Sequence, residues 1–245
     1  VASEFNFKGS EIIFLDKENK IKGTNGITLT AQNGIKITGQ EFEYDKSKSI
    51  LNVNGNVIIY DNANKLILKS EKFTYLKNKE IIYTKTKTNA EYNGEYFLDS
   101  KELTFDRNTK NIFSKKKLNI KDLNENHTSL SNFNFSLITN LLKGDDIRFL
   151  DSASNKIYLK KGVIDLNTKE IAGKDAEILF ENSVFGNPKN EPRLKGKALY
   201  SSGEISKINK ATFTTCKKTD GCPPWTLSAS EVNHDKKKKV INYKD

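Results

Sequence analysis

Few residues in this chain are suited to chemistry. Two cysteines, Cys216 and Cys222, and two histidines, His127 and His234, supply every thiol and imidazole among 245 residues. A zinc site from Cys216, Cys222 and His234 is disfavoured, because the five residues between the cysteines exceed the usual gap of about two to four. No HExxH, GxSxG, GxGxxG or Walker pattern occurs, so metalloprotease, hydrolase and nucleotide chemistry lack their usual groups. Carboxylates do recur, at Asp16, Asp45, Asp106 and Asp165, each behind an aromatic or aliphatic residue. Glycosidase-type acid–base work would need two of them within about 10 Å in a cleft. Successive aspartates some thirty residues apart are better explained as turn formers, so no catalytic residue, metal or cofactor is expected.

The cysteines sit in an unusual setting. Residues 211–235 hold both of them, Pro223 and Pro224 out of four prolines, and the single tryptophan, Trp225. In a strand-rich exported protein such cysteines more often form disulfides than stay free. A local staple between the two, contributing about 2–3 kcal/mol by restricting the unfolded chain, is the alternative.

Strands must carry these residues. Apolar side chains alternate with polar ones at Ile27, Leu29 and Ala31, at Ile35 and Ile37, at Leu51 and Val53, and at Leu66 and Leu68, the period of a half-buried strand. Tyr83-Thr84-Lys85-Thr86-Lys87-Thr88 reads as a solvated strand through its β-branched threonines. A repeat underlies the alternation. Asp16, Asp45, Leu76 and Asp106 occupy equivalent places at intervals of 29, 31 and 30 residues, with a degenerate copy at Phe135-Ser136 and later copies at Asp165 and Asp235. Each unit is expected to be a hairpin whose Asp or Ser bonds the backbone two residues on, with Asn taking the left-handed position and lysines keeping the tip wet. The fold expected is all-β: a jelly roll of repeated antiparallel hairpins, about thirty residues per unit, with an open V-shaped apolar trough between its layers.

Trough candidates are Phe42, Tyr44, Leu51, Val53, Val57, Ile59, Leu66, Leu68, Phe73, Tyr75, Leu103, Phe105, Phe133, Phe135, Ile147 and Phe149. The same side chains equally fit a core that interdigitates and leaves no space. The first strand, with Phe5, Phe7, Ile12 and Phe14, has neither proline nor a lysine block and is expected to accept a partner strand at its edge.

Composition narrows the class. The chain is 36% hydrophobic and 29% charged, which favours a folded protein over a disordered one. No run approaches the eighteen or so apolar residues of a membrane-spanning helix. Net charge is +10, yet only Arg107, Arg148 and Arg193 of the 41 basic residues are arginine. An A- and T-rich genome gives the same lysine skew, and arginines and aromatics are not clustered as nucleic-acid binders cluster them. Lysine-rich rims remain able to meet lipid phosphates as point charges. The absence of methionine, and an end at Asp245 inside a strand-like run, suggest a fragment of a longer, processed chain.

Ala211 to Cys216, then Pro224-Trp225, then Ser228-Ala229-Ser230-Glu231-Val232 and His234-Asp235, resembles the segment joining the periplasmic domain to the outer-membrane barrel in the LptD, or organic-solvent-tolerance (OstA), family of lipopolysaccharide-assembly proteins. Ile37 to Asp45 and Gly55 to Ile59 resemble the OstA repeats shared by LptA, LptC and LptD, so the similarity covers most of the chain.

The resemblance implies a periplasmic jelly roll over residues 1–210 and a junction over 211–245 leading to a barrel beyond. It implies a location at the periplasmic face of the cell outer membrane. The cargo would be lipopolysaccharide held by its lipid A acyl chains. Partners would be an LptA-like bridge joined by strand pairing and an LptE-like lipoprotein reached through the barrel, without nucleic acid. Family members use cysteines here for long-range disulfides to the barrel's far end, and Cys216 falls at the matching place. The lack of an early cysteine and the presence of Cys222 depart from the pattern, so pairing with the barrel and pairing together both stay open. A bridge protein of the LptA/LptC type, a structural β-solenoid and a carbohydrate-active jelly roll are the competing readings.

Overall fold

The computed structural model describes residues 5–150, 154–182, 187, 189–220, 223–238 and 240–245. Its regular structure is β-strand, with short 3-10 turns at several strand ends. Every pairing between strands with a described register is antiparallel. A β-solenoid stacks its strands in parallel, and that reading is therefore set aside.

The chain divides into two compact units, one running to Asp122 and including residues 136–138, the other holding 123–135 and everything from 139 onward. The first contains β1 (Phe5–Leu15), β2 (Lys20–Ala31), β3 (Lys36–Gly39), β4 (Glu41–Asp45), β5 (Ile50–Asp61), β6 (Leu66–Leu76), β7 (Ile81–Tyr83), β8 (Thr88–Tyr92), β9 (Tyr96–Ser100), β10 (Thr104–Asp106), β11 (Asn111–Ser114) and β12 (Leu118–Asp122). The second is built on β13 (His127–Ser136), β14 (Leu141–Leu150), β15 (Lys156–Asp165), β16 (Ile171–Leu179), β17 (Arg193–Ser201), β18 (Ile205–Thr214), β19 (Leu227–Asp235) and β20 (Val240–Lys244). The boundary expected after residue 210 falls within β18.

The thirty-residue repeat is visible in the backbone. Asn19, Ser49, Glu80, Lys110, Asn140 and Lys169 all have positive φ between 52° and 62°, one at each successive tip. Aspartates close several of these turns: Asp45 Oδ1 accepts the Lys48 N–H at 3.0 Å, Asp106 Oδ1 the Asn108 N–H at 3.0 Å, and Asp165 Oδ1 the Asn167 N–H at 2.8 Å. Asn was expected in the left-handed position, but Ser, Glu and Lys occupy it as well, since the turn's hydrogen bonds impose the conformation on whatever residue stands there.

Each repeat carries two strands that bend halfway. In β2 the bend is at Asn25 and Gly26 (φ 60° and 85°), and in β5 at Gly55 and Asn56 (φ 81° and 46°). The β5–β6 register shifts across the second bend, as expected of a bulge that turns a strand from one sheet into another. Elsewhere the chain breaks instead, between β3 and β4 and between β7 and β8. Tyr83 to Thr88 is thus not one solvated strand. Thr84 and Thr88 are 4% and 0% exposed, and Thr88 Oγ1 donates to Thr84 Oγ1 at 2.7 Å while Thr84 Oγ1 accepts the Leu103 N–H at 3.1 Å. Alternation mimicked exposure because the hydroxyls satisfy the backbone within the bend.

Two layers result in the first unit. One contains the C-terminal halves of β2 and β5, the N-terminal half of β6, and β3, β8, β9 and β12. The other contains the opposite halves of those long strands with β4, β7, β10 and β11.

Candidate functional site

Register places the apolar residues of the first unit in two ladders that cross the strands. In one layer Leu29, Ile37, Ile59, Leu68, Ala90, Leu98 and Ile120 stand directly opposite one another, strand to strand. In the other layer the row is Ile21, Tyr44, Leu51, Tyr75, Ile82, Phe105 and Ile112. Seven strands make six steps of about 4.8 Å, so each ladder extends about 29 Å at right angles to the chain. All fourteen side chains are buried, each large one contributing about 1.5–3 kcal/mol to holding the layers together.

The sixteen trough candidates are placed with one exception in such interiors. Phe42, Tyr44, Leu51, Val53, Val57, Ile59, Leu66, Leu68, Phe73, Tyr75, Leu103 and Phe105 are 0–5% exposed in the first unit, and Phe133, Phe135 and Ile147 are 0–2% exposed in the second. Phe149 is half-buried. The interior of the first unit is closed: Leu51, Val57, Ile59 and Phe105 are wholly inaccessible to solvent.

Aromatic rings finish the β1 end of the first unit. The Phe5 ring meets Tyr44 edge-on at 5.1 Å and Tyr75 at 6.0 Å, and Phe7 stacks on Phe42 at 4.9 Å. Among the expected edge residues, Phe5 is therefore a core residue. Phe7 and Ile12 are half-buried, while Phe14 is 61% exposed. Among the described residues β1 pairs only with β2, which leaves its other edge open.

The strand tips of the two layers are joined by a polar cluster that the sequence did not announce. Asp61, at the end of β5, is 2% exposed and accepts from Arg107 Nε at 2.7 Å. Arg107 Nη1 also donates to Glu80, which further accepts from Tyr75 OH at 2.6 Å, from Asn33 Nδ2 at 2.9 Å, and from Lys77. Asn33 and Asp61 stand at the tips of one layer, and Tyr75, Lys77, Glu80 and Arg107 at the tips of the other. Burial opposes the charge on Glu80, but its bonds from Lys77, Tyr75 and Arg107 outweigh that and hold its carboxyl below the usual range. Burial, reinforced by donation to Glu80, pushes the Tyr75 hydroxyl up so that it stays a proton donor. A second tie lies farther along, where Tyr92 OH donates to the Leu137 carbonyl at 3.4 Å. Arg107 carried one sequence signal: an arginine in a lysine-dominated chain marks a place where a forked, weakly hydrated cation is needed.

In the second unit the corresponding apolar row runs Phe149, Ile157, Ile178, Leu194, Phe213 and Leu227. Phe213 packs edge-on to Trp225 at 5.9 Å. Cys216 is half-buried with a free thiol, its Sγ 3.8 Å from the Trp225 carbonyl, and its own carbonyl accepts from Arg193 Nη1 at 2.5 Å. Cys222 lies outside the described residues. His127 is exposed and His234 half-buried, and burial together with nearby Lys236 holds the His234 imidazole below its ordinary range. Among the described residues no group of three His, Cys, Asp or Glu side chains is placed to hold a metal ion. No protein-family model and no curated protein matches the chain.

Proposed function

We propose that this chain is a non-enzymatic lipid conduit of the LptD type, receiving lipopolysaccharide from a periplasmic bridge and handing it to an outer-membrane barrel. The observation that supports this reading best is the pair of apolar ladders facing each other across the first unit. They present methyl and ring surface continuously in the direction from hairpin to hairpin. Contacts of that kind are non-directional, and at about 25 cal/mol per Å² of buried apolar area they hold an acyl chain without fixing its position along the row. The closed interior is, on this reading, the empty form of a V-shaped OstA trough whose layers part around the chain. The open edge of β1 is the surface on which an LptA-like bridge adds its own strand, and Cys216 is available for a disulfide to the barrel.

Photo-crosslinking side chains placed at Phe73 and Phe105 in living Gram-negative cells are expected to capture lipopolysaccharide. The same groups at Lys85 and Lys87, exposed at the bend between β7 and β8, are expected to capture none. Equal capture at both pairs of sites would remove the conduit and leave the second reading, a scaffold without cargo, which the sealing of the ladders favours.

A further inference from the structure

We infer that Asn33, Asp61, Tyr75, Glu80 and Arg107 form a clasp across the lips of the first unit, and that opening it admits the tail of an anionic amphiphile sideways into the interior. The inference rests on the lipid reading above and adds the route of entry. Within each layer, backbone hydrogen bonds join neighbouring strands. At the tips, among the described residues, no backbone pairing joins one layer to the other, and the union is made by side chains: Asp61 with Arg107 at 2.7 Å, and Asn33 with Tyr75 at 2.9 Å and Glu80 at 2.9 Å. Directly behind them lie Tyr75 itself, 1% exposed, and Phe5, also 1% exposed. The clasp therefore stands between solvent and the middle of an apolar ladder, where Tyr75 is the fourth of seven members.

Its chemistry suits a closure that opens. An apolar seal would be torn from its contacts into water on opening, whereas charged groups recover hydration when they part, which offsets much of the Coulombic loss. The side-chain exposures of Arg107 and Glu80, 10% and 20%, leave water close at hand for that exchange. The bends that would have to flex are made of positive-φ residues and hydroxyls rather than large packed side chains, as at Gly55, Asn56, Thr84 and Thr88. Arg107 also indicates the ligand's headgroup. Its fork matches carboxylate and phosphate geometry, so an anionic head arriving at the lips competes with Asp61 and Glu80 for the guanidinium as the tail follows.

The test uses the full chain with Cys216→Ser and Cys222→Ser, into which Asn33→Cys and Glu80→Cys are introduced. A short, reducible bis-methanethiosulfonate bridges the new thiols, and stopped-flow fluorescence follows uptake of an anthroyloxy-labelled stearate. The bridged protein is expected to load about tenfold more slowly than the same protein after reduction, and Asp61→Asn/Arg107→Gln about tenfold faster than the unsubstituted chain, as a shift in the open population requires. Bridged and reduced forms are one polypeptide, so a folding defect in the double variant does not decide the outcome. Equal loading of those two forms overturns the clasp as a gate while the conduit stands with entry elsewhere. Failure of every form, the unsubstituted chain included, to take up the probe overturns the conduit and the gate with it.

Discussion

At the scale of single residues, the three arginines are the informative positions in a chain whose other basic residues are lysine. Arg107 spans Asp61 and Glu80, Arg193 reaches the Cys216 carbonyl, and Arg148 lies 5.9 Å from the Tyr158 ring. Arg107 uses two nitrogens of its planar fork at once, a geometry that an ammonium lacks. The partners were illegible beforehand, since Asp61 and Arg107 are 46 residues apart and nothing local links them. Glu80 gives this cluster a pH dependence with a definite sign. Its folded-state carboxyl is held below the usual carboxylate range by Lys77, Tyr75 and Arg107, so its contribution to stability is complete above the unfolded value and is lost as pH falls through the depressed one. Urea midpoints of the parent chain and Glu80→Gln should differ most at neutral pH and converge on acidification. A gap that stays constant down to the acid range would show that Glu80 is held by packing rather than by charge.

Among the elements, the hairpin repeat was readable because turn chemistry is local: an aspartate, a few polar residues and a return to aliphatics define each tip. The bends were not readable, because they fall on residues of several types, Asn25, Asn56, Asp146, Asp175 and Lys210, and register across the sheet decides where they act. Two substitutions separate these cases. A Cβ on Gly173, in the bend of β16, would stand 2.5 Å from the Lys161 carbonyl oxygen and 3.1 Å from Gly162 Cα. Gly173→Ala should therefore destabilise by about 1–3 kcal/mol, as overpacking against backbone does. Lys169, at φ 62° in the tip between β15 and β16, is a non-glycine residue in a left-handed position that costs about 1–2 kcal/mol. Lys169→Gly should stabilise by up to about 1 kcal/mol, less what glycine adds to unfolded-state entropy. Equilibrium unfolding in urea measures both, and opposite signs are the expected result.

At the scale of the whole molecule, the all-β class, the antiparallel order and the thirty-residue period followed from alternation and punctuation alone. The division into two units and the facing ladders depended on contacts between residues far apart in sequence, which alternation does not encode. The edge of β1 is exposed along most of its length. Of its eleven residues only Phe5 is buried, and Ile13 and Phe14 are 45% and 61% exposed, so beyond Phe5 and Phe7 the strand offers apolar surface beside an edge that no other strand among the described residues pairs. Natural edges are blunted by charge, proline or cover. This one has none of these over Ile12 to Leu15, which is the condition for adding a partner strand. Sedimentation velocity at rising concentration should show the chain associating. Ile13→Lys/Phe14→Lys should abolish that association and leave the urea midpoint within about 0.5 kcal/mol of the parent, the usual range for surface substitutions. A chain that stays monomeric throughout, or a double variant that still associates, would move the docking surface away from β1. Loss of stability in the variant would instead mean that these side chains belong to the fold.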